Sequence, residues 1–233
     1  MSSLESAHSE YRTLLLADIE SYARGRDDAV RSRLRARLRQ LLSIAFAEAQ
    51  ITSNQTCAQS TGDGLLVTID PTVGKPRILG GVIESLAAGL REQNRRAIQR
   101  EQLRIRMVLH AADLLIDSDG PLGDQVNFAF RLLDAQRLRD LLKSASGPML
   151  ICVSEVIYRQ VIAQRHEGLE PTDFEPVRLE SKGTHVIAWV RAPGEPGLVA
   201  RSGLSTADGG DARNNERPPR PAPVSSACAR NDV

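Results

Sequence analysis

Aromatic side chains are nearly missing from this sequence: three Tyr, four Phe and one Trp among 233 residues, 3% of the chain. Leu, Ile, Val and Ala must therefore fill any core. Cysteine is equally sparse. Cys57, Cys152 and Cys228 are odd in number and show no CxxC or Cys/His spacing, which excludes a disulfide framework and a structural zinc as organisers. Net charge is small as well: 30 basic against 29 acidic side chains leave +1. No overall field therefore calls for nucleic acid or an anionic membrane.

Long apolar runs are also lacking. The stretches Leu14 to Ala17 and Leu65 to Val67 fall far short of the ~18 residues of a spanning helix. The polar, acidic start Met1 to Glu10 has no secretory pattern, so the expectation is a cytoplasmic protein without a membrane segment. Neither GxxxxGK[ST] nor GxGxxG occurs, so a nucleotide site cannot rest on a glycine-rich phosphate loop.

What is present divides the chain into three parts. Residues 1–10 read as a tail. Residues 11–192 carry alternating strand and helix signals and suffice for one core, with 41% of the whole chain apolar. Residues 193–233 hold six of the twelve prolines, five glycines, no aromatic, and five Arg against five acidic residues, the composition of a disordered tail.

Within the middle part, Thr13 to Ile19 reads as a buried strand ending near Asp18. Asp27 to Gln50 repeats Val30, Leu34, Leu38, Leu41, Leu42, Ala45 and Phe46 at helical spacing. Arg31, Arg33, Arg35, Arg37 and Arg39 crowd its other faces, and with no aromatic among them they read as a solvated surface rather than a nucleic-acid helix. Gln55 to Ser60 and Leu65 to Ile69 flank Thr61-Gly62-Asp63-Gly64, a hairpin with Asp63 at the turn. A helix over Arg77 to Gln99, a strand over Leu103 to Ala111, a helix over Gln125 to Leu142 and a strand over Met149 to Val153 follow, with Ser154 as a helix cap. Phe174 to Leu179 and His185 to Val190 form a last hairpin around Ser181-Lys182-Gly183. The order is an α+β, ferredoxin-like βαββαβ core with a mainly antiparallel sheet and flanking helices.

Asp18 at a strand end and Asp63 on a turn can reach one point if their strands lie side by side. Two close carboxylates repel unless a cation separates them, and their hard oxygens suit Mg²⁺ or Mn²⁺. Asn127 and Arg131, four residues apart, project from one helix face. A guanidinium beside an amide suits a phosphate next to a sugar hydroxyl.

These pieces, taken in order, resemble a known family. The run Leu14 to Ile19, the turn Gly62-Asp63-Gly64, the strand Arg104 to His110, the segment Gly123 to Arg131 with its Val-Asn-x-Ala-x-Arg pattern, and Lys182-Gly183 51 residues after Arg131 occur as in class III nucleotidyl cyclases, over Tyr11 to about Ala192. The resemblance implies a homodimer with two sites at its interface, each drawing on both chains. It implies two divalent metal ions held by Asp18, Asp63 and the carbonyl of Ile19. It assigns Arg131 to charge on the α-phosphate, Asn127 to the ribose and Lys182 to the terminal phosphates. The implied reaction closes a nucleoside triphosphate to a 3′,5′-cyclic nucleotide and releases pyrophosphate.

The base-reading positions depart from the family. Adenylate cyclases usually place Lys and Asp, and guanylate cyclases Glu and Cys, where this chain has Gln59 and Gly120, with Asp119 adjacent. Base specificity is therefore open. A pyrimidine cyclase of an anti-phage system and a non-catalytic nucleotide-binding or dimerising domain are the alternatives. Asp18-Ile-Glu20-Ser-Tyr22 also differs from the Gly and Phe common after the first metal Asp, and resembles an actinobacterial branch.

Overall fold

A computed structural model describes residues 8–22, 25–117, 120–181 and 184–203. Lys182, Gly183 and Asp119 lie outside the described residues. The elements run β1 (His8–Ile19), α1 (Asp28–Glu48), β2 (Thr56–Ser60), β3 (Gly64–Ile69), a π-helical turn (Arg77–Val82) continuing into α2 (Ile83–Arg96), β4 (Ile105–Asp117), β5 (Gly120–Leu122), α3 (Asp124–Asp134), α4 (Gln136–Ser144), β6 (Met149–Ser154), α5 (Glu155–Ile157), β7 (Glu175–Ser181), β8 (Thr184–Arg191) and α6 (Leu198–Arg201).

One sheet carries the strands in the order β2-β3-β1-β4-β6-β8-β7, with β5 paired to β4. The β4–β6 pair is parallel; every other pair is antiparallel. The subset β2-β3-β1-β4 is the ferredoxin-like arrangement expected from the sequence. Strand β1 is apolar without alternation because both of its faces are buried. Leu15, Ala17 and Ile19 pack with α1 and α2 residues such as Leu34, Leu38 and Leu86. Leu14 and Leu16 pack with Leu132, Leu138 and Leu141 of α3 and α4.

Helix α1 starts where Asp27 accepts the Val30 N–H at 2.8 Å, a side-chain cap for an otherwise unpaired donor. Its arginines stay at the surface, as expected: Arg33 pairs with Glu101 at 3.0 Å and Arg39 donates to the Ser60 hydroxyl at 2.8 Å.

Three boundaries differ from the sequence expectation. Strand β1 begins at His8, inside the segment 1–10, because β4 continues to Asp117 and pairs His8 with Ile116. The helix expected over Gln125 to Leu142 is two helices. Ala135 is buried with extended ψ of 128° and redirects the chain, so that Leu138, Leu141 and Leu142 still reach the sheet. Inside the segment 193–233, α6 buries Leu198 and Val199, and the N–H groups of Val199 and Ala200 each donate to the Glu175 carboxylate at 3.0 Å. Two apolar side chains and one carboxylate cap outweigh the Pro and Gly around them. Among the described residues no helix is long and apolar enough to cross a membrane.

Candidate active site

Asp18 is the next-to-last residue of β1, and the sheet register places it between Gly64 of β3 and Arg106 of β4. The turn between β2 and β3 is closed by the Thr61 N–H donating to the Gly64 carbonyl at 3.1 Å. Two glycines make this turn, for different reasons. Gly62 has φ of +84°, the left-handed region. At Gly64 a Cβ would lie 2.3 Å from the Ala17 carbonyl oxygen, so only glycine lets the strands close at this point. Asp63, between them, reaches Asp18.

The two carboxyls are within hydrogen-bonding reach of each other. Burial pushes the Asp18 carboxyl above its ordinary pKa, the Arg106 guanidinium pulls it down, and the neighbouring Asp63 carboxylate raises it again. Ile19 ends β1 with its side chain in the core.

The two positions expected to read a base are also brought together. Gly120 has φ of +124°, and a Cβ there would fall 2.0 Å from Nε2 and 2.8 Å from Cδ of Gln59. The Gln59 amide thus lies against the Gly120 backbone in space that any side chain at 120 would occupy. The Gly120 N–H donates to the Asp117 carboxylate at 3.1 Å, which holds the turn into β5.

Asn127 and Arg131 stand on α3, whose Val126, Ala129, Leu132 and Leu133 are buried. Arg131 lines a cavity of about 540 Å³ together with His110, Gln125, Phe128, Ser154 and Ile187. This cavity is at the level of His110, four residues along β4 from Arg106, so ~13 Å of strand separates it from the Asp18 level. The carboxylate pair and the cavity beside Arg131 therefore sit at different heights of one chain.

Several solved structures share this architecture. The adenylate/guanylate cyclase/hydrolase from Silicibacter pomeroyi superposes with a TM-score of 0.59 at 21% identity, over 80% of this chain and 99% of that one. A bacterial light-regulated adenylyl cyclase gives 0.58 at 13% identity, over 81% of this chain and 54% of its own length. The guanylyl cyclase Cya2 gives 0.52 at 15% identity, over 79% and 92%. The fold is that of the class III nucleotidyl cyclase catalytic domain. No protein-family model matches the chain. No curated protein matches it either.

Within this cyclase fold the structure adds a residue that sequence reasoning passed over. Arg106 is 6% exposed, its Nη2 bonds the Asp18 carboxylate, and its Nε and Nη1 are buried with no hydrogen-bond partner among the described residues. A buried guanidinium with two unused donors is costly to keep. The signal was visible: Arg106 interrupts the apolar run Ile105 to Leu109 of a strand.

The donor set fits hard divalent cations. Asp18 and Asp63 supply oxygens only, and burial together with the neighbouring Asp63 carboxylate raises the Asp18 pKa, a cost that a cation between the two would relieve. Among the described residues no group of three or more His, Cys, Asp or Glu forms. Ions held here would complete their shells with water and phosphate oxygens, as Mg²⁺ commonly does.

Proposed function

We propose that the chain is a nucleotidyl cyclase that converts a nucleoside triphosphate to a 3′,5′-cyclic nucleotide and pyrophosphate. The observation that carries this reading is the meeting of Asp18 and Asp63 beside the unused donors of Arg106. In the reaction the ribose 3′-oxygen attacks the α-phosphorus in line. The bond from that phosphorus to the bridging oxygen breaks, and the charge leaves on pyrophosphate.

Asp18 and Asp63, with the Ile19 carbonyl, would hold two Mg²⁺ or Mn²⁺ ions, which supply neutralisation of the triphosphate and acidity to the 3′-hydroxyl. The remaining work belongs to side chains. Asn127 orients the ribose. Arg131 donates to charge that develops on the α-phosphate, where a preorganised donor counts most. Arg106 and Lys182 take oxygens of the terminal phosphates. Gln59, lying on Gly120, faces the base with one donor and one acceptor and no charge.

The ~13 Å between the carboxylate level and the cavity beside Arg131 supports a site composed from two chains, the carboxylates of one protomer meeting α3 of its partner in a homodimer. The neutral Gln59 amide leaves all four bases as candidates, pyrimidines included.

Incubation with each of the four nucleoside triphosphates and Mn²⁺, with products resolved by mass, tests the proposal. A cyclic monophosphate from at least one is expected. Triphosphate binding without product from any would replace it with a non-catalytic, nucleotide-binding domain.

A further inference from the structure

His110 is a buried histidine, 3% exposed, at the centre of β4. Both of its ring nitrogens are used. Nδ1 lies 2.9 Å from the Ser154 hydroxyl at the end of β6, and Nε2 lies 3.0 Å from Oε1 of Gln125 in the first turn of α3. The Phe128 ring, also on α3, is tilted against the imidazole with centroids 5.1 Å apart. Because Gln125 presents its carbonyl oxygen, Nε2 carries the proton and Nδ1 accepts from Ser154. One ring thus ties two neighbouring strands to the helix that bears Asn127 and Arg131.

We propose that His110 is a positioning residue that fixes the rotation of α3 on the sheet and thereby the aim of Arg131. The inference rests on the cyclase reading for its effect on turnover, though not for the brace itself. Three features support it. Gln125 and Phe128 lie two residues before and one residue after Asn127, so a turn of the helix about its axis moves all of them together. Ser154 and Arg131 line the same cavity as the imidazole. Burial holds the His110 pKa below its ordinary value, with the Gln125 bond opposing this only in part. The ring therefore stays neutral, and this bonding pattern needs the neutral tautomer.

Misplacement of a reacting group by about 1 Å can cost ~10²-fold. His110→Phe keeps a flat ring and removes both hydrogen bonds. It is expected to lower kcat by ~10- to 100-fold, to leave the KM for the Mn²⁺–triphosphate complex within about threefold, and to leave Mn²⁺ binding followed by electron paramagnetic resonance unchanged. In an Arg131→Ala background the same change should cost less than about threefold, since the aim of an absent guanidinium no longer matters. Full additivity of the two losses, or normal kcat in folded His110→Phe, overturns the proposal.

Gln125→Met removes one bond at the helix surface and carries the same test if His110→Phe fails to fold. Hydrogen exchange separates this inference from the cyclase reading. If wild type makes no cyclic product, amides of α3 in Gln125→Met should still exchange about tenfold faster, which corresponds to one lost hydrogen bond. Unchanged exchange there overturns the brace whatever the activity.

Discussion

Asp18 sits on backbone held from both sides by strand pairing and Asp63 on the tight turn that leads into β3, whereas Asn127 and Arg131 stand on a helix whose rotation depends on side chains beneath it. The carboxylate end is set by register. A slip of one residue would turn Asp18 to the other face and separate the pair. Helix α3 has no comparable ladder. It rests on a stripe of Val126, Ala129, Leu132 and Leu133, and side chains that merely pack tolerate small rotations. Function placed on such a helix calls for a directional contact, and the His110–Gln125 bond supplies one. The two regions should therefore fail in different ways when mutated.

The largest effect is expected at the carboxylate end. Asp63→Asn keeps the turn and removes one carboxylate of the proposed metal site, so on that reading turnover should fall by ~10³-fold or more, several kcal/mol of charge stabilisation, and Mn²⁺ binding should weaken in the same titration. Intact Mn²⁺ binding in this variant would break the comparison at its first region. Arg131→Ala should lower turnover by ~10²- to 10³-fold with Mn²⁺ binding unchanged, because in the proposed reaction the guanidinium acts on charge that appears only during turnover. Weakened metal binding there would merge the two regions into one.

The next effects concern stability. Gly64→Ala forces a Cβ against the Ala17 carbonyl and should cost ~1–3 kcal/mol, read as a drop of a few degrees in Tm. A Tm equal to wild type would show that the carboxylate end is not held by close strand approach. Gly120→Ala should also lower Tm, and part of that loss should vanish in a Gln59→Ala background, since only the clash with the amide is relieved while the positive φ stays. Equal losses in both backgrounds would contradict the packing of Gln59 on Gly120.

The smallest effect is a pH dependence. The His110 pKa lies below 6.5 in the folded chain because the ring is buried, so the unfolded chain binds more protons once the pH falls below about that value. Stability from this group is complete above 6.5 and is lost as the pH drops toward the folded value. Asp124, Glu155 and Arg131 share its cavity. The Tm should decline between pH 7 and pH 5.5 in wild type and decline less in His110→Phe; equal slopes would argue against a buried neutral ring.

Much of this was legible before any coordinates. The apolar run ending at Asp18, the Gly62-Asp63-Gly64 turn and the four-residue step from Asn127 to Arg131 are local patterns, and local patterns survive in a one-dimensional reading. Arg106 and His110 were missed because their meaning is not local. Arg106 matters through Asp18, 88 residues away, and His110 through Ser154, 44 residues away. Composition also misplaced both ends of the folded part: His8 joins the sheet through β4, and Leu198 is buried with α4 residues, contacts that no count of Pro and Gly reveals.

By itself the sequence determined most of the core strands and helices and made Asp18, Asp63, Asn127 and Arg131 stand out, because periodicity and turn chemistry act over a few residues. Tertiary structure alone decided that the Asp63 carboxylate meets a half-buried Asp18 beside Arg106. It also decided that Gln59 fills the space over Gly120, and that α3 is fixed by a buried imidazole. Each of these depends on strand register and on the approach of elements distant in the chain, and the free energy of such contacts exists only once the sheet has assembled.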